Sequence, residues 1–205
     1  MEATVLDPAA YLAAIRDNAR VLVDAAEAAG LDARVPTCPD WDVAELLAHI
    51  GRVHRWAASN TTRSPDAGYA APDVEIPPPR GRAAWVRVGA AELVAALERP
   101  ADDPAWTWMA PSTIGFWQRR QAHETAMHRV DAESATGAPQ PIDAALAADG
   151  IDEWFEIVGN TPWRAPPTGE GESLHFHCTD VEGEWVVRLV PTGVEVERVH
   201  AKGDV

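Results

Sequence analysis

Residues 117–133 read WQRRQAHETAMHRVDAE. The run reads as a helix that carries metal-type ligands at helical spacing. Glu124 and His128 are four residues apart, so they differ by about 40° around the axis and lie one turn apart on one face. A carboxylate and an imidazole placed in this way can grip one divalent cation. The dipeptide His123-Glu124 invites a zincin reading, but that motif needs histidines at i and i+4. His123 and His128 are five apart, about 140° around the helix, and cannot share a face.

The bulk of the chain limits what such a helix could serve. Its 205 residues suit one domain, or one domain and a small appendage, and 46% are apolar, enough for a core. A net charge of −15 argues against nucleic acid or an anionic membrane surface as partner. No apolar run approaches the ~20 residues of a transmembrane helix. The N-terminus is acidic early and lacks the basic n-region of a signal peptide. Cys38 and Cys178 are far apart and form no CxxC pair, which fits a cytoplasmic, reducing setting.

Outward from 117–133 the periodicity predicts further helices. Asp7-Pro8 is an N-cap followed by a first-turn proline, and Tyr11, Leu12, Ile15, Ala19, Leu22 and Val23 recur at helical spacing until Gly30. Pro36–Asp40 is a turn. Asp40 or Asp42 can cap a second helix over about 43–59, with the stripe Val43, Leu46, Leu47, Ile50, Val53 and Ala57. Residues 61–81 hold five prolines and two glycines and read as a long irregular connection. Further helices are expected over about 82–98, 113–135 and 142–158. After Gly159 comes a Pro/Gly-rich linker, then three alternating runs, 173–179, 184–190 and 194–200, which read as an antiparallel meander. The predicted organisation is a mainly α fold, with a helical bundle over 1–160 and a small β-containing domain over 161–205. An exposed meander edge leaves homodimerisation open.

The face around Glu124 also has a plain reading. Arg120–Glu124 and His128–Asp131 have the spacing of ordinary surface pairs, each worth a few tenths of a kcal/mol. The second helix could supply a third ligand through His49 or His54. These are five apart, so only one faces a given point. The wheel places His54 inside the apolar stripe and His49 about 100° from its centre, and periodicity alone leaves both open. Two imidazoles and a carboxylate would leave coordination positions for water or substrate, as in catalytic metal sites. Zn²⁺ suits such a set best, and Fe²⁺, Ni²⁺ or Co²⁺ also fit. Asp131 could orient His128.

The segments VPTCPDWDVAELLAHIGRVHRWA (35–57) and RRQAHETAMHRVDAE (119–133) resemble the mycothiol-dependent maleylpyruvate isomerase family of the DinB-like superfamily. DGIDEW (149–154) and the run from Leu174 resemble its later helix and C-terminal domain. The resemblance implies a DinB-like four-helix bundle with a small C-terminal α+β segment. It implies a metal held by His49, Glu124 and His128, choosing His49 over His54. It also implies the low-molecular-weight thiol mycothiol as cofactor. The family's type reaction adds a metal-activated thiolate to the conjugated double bond of a small electrophile, allows rotation, and expels the thiol; S-transfer could use the same site. Family members continue beyond the HAKGDV-type stretch, so a shortened C-terminal domain is expected here, and no C-terminal binding residue is carried over.

Two other function classes stay in view: a non-catalytic metal- or ligand-binding module, and a DinB-type metallohydrolase using metal-bound water. Among remaining residues, Cys38 between two prolines reads as a packed loop thiol. His175 and His177 share one strand face, read as a polar face with no carboxylate in matching register. Trp106 and Trp108 are equally suited to wall a pocket or to be buried.

Overall fold

A computed structural model describes residues 6–160 and 165–203. The linker expected after Gly159 and the chain's last residues fall partly outside these. The order is α1 (Pro8–Ala29), α2 (Val43–Asn60), a 3-10 turn (Pro79–Gly81), α3 (Arg82–Leu97), α4 (Ile114–Ala135), α5 (Ala144–Asn160), β1 (Ser173–His177), β2 (Glu184–Val190) and β3 (Gly193–Glu197). This is the expected class, helical first and a small antiparallel sheet last. Among the described residues no helix is long and apolar enough to cross a membrane.

Local chemistry explains the helix ends. The Asp7 carboxylate accepts from the Ala9 amide at 2.7 Å, and Pro8 occupies the first turn, where its missing N–H costs nothing. Gly30 ends α1 at φ 86°, a left-handed value that glycine adopts without strain, and its amide closes on the Ala26 carbonyl. Of the two candidate caps for α2, Asp42 is the one used. Its side chain accepts from the Glu45 amide and the Glu45 carboxylate accepts from the Asp42 amide, each at 2.8 Å, a reciprocal capping box.

The chain divides into two compact units, Asp7–Pro141 and the part beginning at Ile142. This division falls one helix earlier than the boundary expected at 160/161. In the first unit α4 packs chiefly on α1 and also meets α2, while α3 packs on α1 and α2. Leu22 and Val23 of α1, Leu46, Leu47 and Ile50 of α2, Val86 of α3 and Ala132 of α4 form one buried cluster. Gly51 lets α3 approach α2: a Cβ there would lie 2.3 Å from the Trp85 ring. Trp106 is buried, and the Trp117 indole N–H donates to its carbonyl at 2.6 Å. Trp56 stands edge-on to Trp117, centroids 5.4 Å apart, and stacks on Trp108 at 6.0 Å. The tryptophans before α4 therefore belong to an aromatic cluster in this unit.

In the second unit the sheet order is β1-β2-β3, antiparallel throughout, with His177 opposite Glu184 and Val187 opposite Val196. One sheet face packs on α5. The Trp185 indole donates to Asp152 at 2.6 Å, Arg198 pairs with the same carboxylate at 3.1 Å, and Phe155 meets Phe176 with centroids 5.7 Å apart. These contacts are why α5 groups with the sheet. β3 ends at Glu197, earlier than the expected 200, and so releases His200 from the ladder.

Candidate metal centre

α4 is polar on more than one side, and the structure gives each side a separate partner. Toward α1, His123 is buried with its ring edge-on to Tyr11, centroids 6.2 Å apart. On that side too, Arg129 donates to Asn18 at 3.1 Å and to Glu133 at 2.6 Å. Toward α2 stand Glu124 and His128. The five-residue separation of His123 and His128 thus places them on different neighbours, as the helical phase requires.

His49, Glu124 and His128 come together, with one donor atom from each lying within 4.8 Å of the others. A single carboxylate oxygen, Glu124 Oε1, is 3.3 Å from His49 Nε2 and 3.3 Å from His128 Nε2. The imidazole centroids are 4.8 Å apart and nearly perpendicular. Two ligand atoms bound tetrahedrally to one cation at 2.0–2.1 Å stand about 3.4 Å apart, so both histidine approaches to Glu124 match a Zn²⁺-sized ion. The His49, Glu124 and His128 side chains are 25%, 22% and 14% exposed, so the pairs that helical spacing predicts, Arg120–Glu124 and His128–Asp131, are formed but partly enclosed.

Four neighbours complete the surroundings; helical spacing marks Arg120 and Asp131, whereas Trp41 and Thr37 carry no such mark. Trp41 lies beside both rings, 4.9 Å from the His49 centroid and stacked on His128 at 6.1 Å. Arg120 pairs with the other oxygen of Glu124 at 3.1 Å. Asp131 is buried and accepts from His128 Nδ1 at 2.8 Å, while the Thr37 hydroxyl donates to its second oxygen at 2.6 Å. Because a carboxylate only accepts, Nδ1 of His128 carries the proton and Nε2 is the atom turned to Glu124. Trp41 and Thr37 sit in the turn region before α2, where no repeat marks them; only their nearness in sequence to Asp42 and His49 could have suggested them.

The electrostatics follow from this enclosure. Burial opposes the charged form of His128, but its hydrogen bonds to Asp131 and Glu124 more than offset this and hold its pKa at about 9. Burial likewise opposes ionisation of Glu124, yet hydrogen bonds from His128 and His49 and the charge of Arg120 keep it well below the usual carboxylate range. His54 behaves in the opposite way. It is fully buried, donates from Nε2 to the Thr125 hydroxyl at 3.0 Å, and desolvation lowers its pKa to about 3. The wheel's placement of His54 inside the stripe is met by a neutral core histidine one residue from the cluster, not by a member of it. Cys38 packs at the rim, with Sγ 4.0 Å from Asp131; burial and that carboxylate push its thiol up. This suits a packed loop thiol rather than a nucleophile.

In the second unit, Glu184 is the direct cross-strand partner of His177 and lies 3.7 Å from His175 Nε2. The expectation that no carboxylate matches these histidines in register is therefore corrected. The length of the β1–β2 connection sets that register, and alternation within β1 does not report it.

The chain matches the mycothiol maleylpyruvate isomerase N-terminal domain over residues 12–133. No curated protein and no solved structure gives a significant match. The match runs from Leu12 within α1 to Glu133 in the last turn of α4 and includes every residue of the cluster, and the chain belongs to this family.

Proposed function

We propose, with that membership as premise, that the protein is a metal-dependent and mycothiol-dependent isomerase or S-transferase acting on a small electrophilic substrate. The observation that carries the reading is the shared 3.3 Å approach of His49 and His128 Nε2 to one oxygen of Glu124. His49, Glu124 and His128 would hold a divalent cation, with Zn²⁺ favoured by the donor set. When bound, the cation supplies a lowered thiol pKa, and so a thiolate at neutral pH.

The chain's own groups have separate tasks. Asp131 fixes the tautomer and ring orientation of His128, and Thr37 fixes Asp131. Arg120 holds the second oxygen of Glu124, which directs the first toward the imidazoles. Trp41 shields one side of both rings from water. With three protein donors, coordination positions remain for a small thiol and a substrate oxygen, the arrangement of a catalytic rather than a structural site.

Metal analysis of protein purified without added metal is the first test. About one equivalent is expected from this centre, and Glu124→Ala should lower the metal content by that equivalent. Absence of stoichiometric metal, or Glu124→Ala retaining wild-type content, overturns the reading. Mycothiol added to Co²⁺-loaded protein should then produce a sulfur-to-cobalt charge-transfer band. A spectrum unchanged by the thiol moves the assignment to a metallohydrolase or a binding module.

A further inference from the structure

The second unit carries another convergence of donors, built from three separate chain segments. His175 and His177 are two apart on β1 and project to the same side of the sheet. The β1–β2 register brings Glu184 directly opposite His177 on that side. The chain then leaves β3 at Glu197 and returns His200 to the same carboxylate, with Nδ1 2.7 Å from Glu184 Oε2. His177 Nδ1 stands 3.6 Å from Oε1, and His175 Nε2 3.7 Å from Oε2.

One ion pair needs one histidine. Here three rings surround one carboxylate, with His175 6.1 Å from His177 and 6.4 Å from His200 between centroids. His175 Nε2 is buried and has no hydrogen-bond partner among the described residues, which leaves a donor atom turned inward and unused. Exposure is graded: the side chains of Glu184 and His175 are 15% and 20% exposed, whereas His177 and His200 are 54% and 83% exposed. The inner half of the cluster is held by the sheet, and the outer half is free to close. Its donors are more widely spaced than those around Glu124, so binding a cation there would require the two exposed rings to turn inward.

We propose that His175, His177, His200 and Glu184 form a second site, for a borderline transition-metal cation such as Zn²⁺ or Cu²⁺. A donor set rich in imidazole selects these ions over Mg²⁺ or Ca²⁺, which require oxygen ligands. Bound there, the ion ties the segment after β3 to the β1–β2 hairpin. The site lies in the second unit and draws on none of the residues around Glu124.

The test is Zn²⁺ titration of the full chain by calorimetry, in a Glu124→Ala/His128→Ala background that isolates the second site. One equivalent of Zn²⁺ is expected to bind there. Adding His177→Ala and His200→Ala should weaken it at least 10-fold, as should Glu184→Gln. Both histidines are exposed, so the metal-free thermal transition should stay in place and report an intact fold. Cu²⁺ at substoichiometric level should broaden the ring resonances of His175, His177 and His200 before those of other exposed groups. No Zn²⁺ binding in the Glu124→Ala/His128→Ala chain, or binding unaltered by the histidine pair, overturns the proposal. Whether Glu124 binds metal is read separately, from wild type against that background.

Discussion

Nδ1 of His128 lies 2.8 Å from a carboxylate oxygen of Asp131, three residues further along the same helix. The contact turns Nε2 of the same ring toward Glu124 and raises the basicity of the imidazole. Replacing Asp131 by Asn keeps an acceptor but removes the charge. Such partners typically contribute a factor of about 10–100 in metal affinity, and Asp131→Asn should weaken Zn²⁺ binding by that order in a chelator competition. Thr37→Val, one hydrogen bond further out, should act in the same direction and less strongly. Equal affinity in wild type and Asp131→Asn would show that the contact does not serve the metal.

Metal binding at this centre should release a proton. His128 has a pKa of about 9 in the metal-free protein, so at pH 7 it is protonated on both nitrogens, and a cation must displace the proton from Nε2. The apparent affinity should therefore rise about tenfold per pH unit from about 7 to 9, then level off. Calorimetry in buffers of different ionisation enthalpy reads the released proton directly. A pH-independent affinity across that window would contradict it.

His54 gives the metal-free fold an acid-sensitive term. Its pKa is about 3 folded and about 6.5 unfolded. Below about 6.5 the unfolded chain takes up a proton that the folded chain refuses, so stability falls as pH falls, by about 1.4 kcal/mol per unit for one proton. His128 has the opposite sign: its stabilisation is complete below about 6.5 and is lost as pH rises through about 9. It is common to both chains when wild type and His54→Gln are compared by urea unfolding between pH 5 and 6.5. The substituted chain should lose about one proton of pH dependence; parallel curves would exclude His54 as the source.

Arg129 should matter for stability and not for metal. It is 5% exposed and donates to Glu133, Asn18 and the carbonyls of Gln140 and Pro141. Removing one partner of a buried, hydrogen-bonded ion pair costs about 3–5 kcal/mol. Arg129→Ala should lower chemical stability by that order, while the chain that still folds should keep its Zn²⁺ affinity. A loss of affinity as large as that of Asp131→Asn would mean that the two sides of α4 are coupled.

The helices of the first unit were legible because their caps and stripes are local. Asp7-Pro8, Gly30 and the run Val43 to Ala57 each report backbone chemistry within a few residues. The centre was less legible. Periodicity marks burial, and it marked His54, which is buried against Thr125 of α4; the residue that reaches Glu124 is His49, at the margin of the stripe. Trp41 and Thr37 come from a turn with no repeat to mark them. In the second unit alternation located the strands, but the pairing of His177 with Glu184 depends on the connection between them. The return of His200 depends on where β3 stops, and the grouping of α5 with the sheet depends on contacts made by Asp152 and Phe155.

Because α4 carries the cluster on one side and the Arg129–Glu133 network on another, its two sides share one angular register. A single-residue deletion between Glu124 and His128 would turn everything after it by about 100°. His128 and Asp131 would swing away from α2 in the same stroke that takes Arg129 and Glu133 away from α1. Point substitutions can damage either side alone; a length change cannot. An insertion of seven residues, close to two full turns, would come nearest to restoring the angle, though it would displace the later residues along the axis. Across related sequences, this segment should therefore vary in its letters and hold its length.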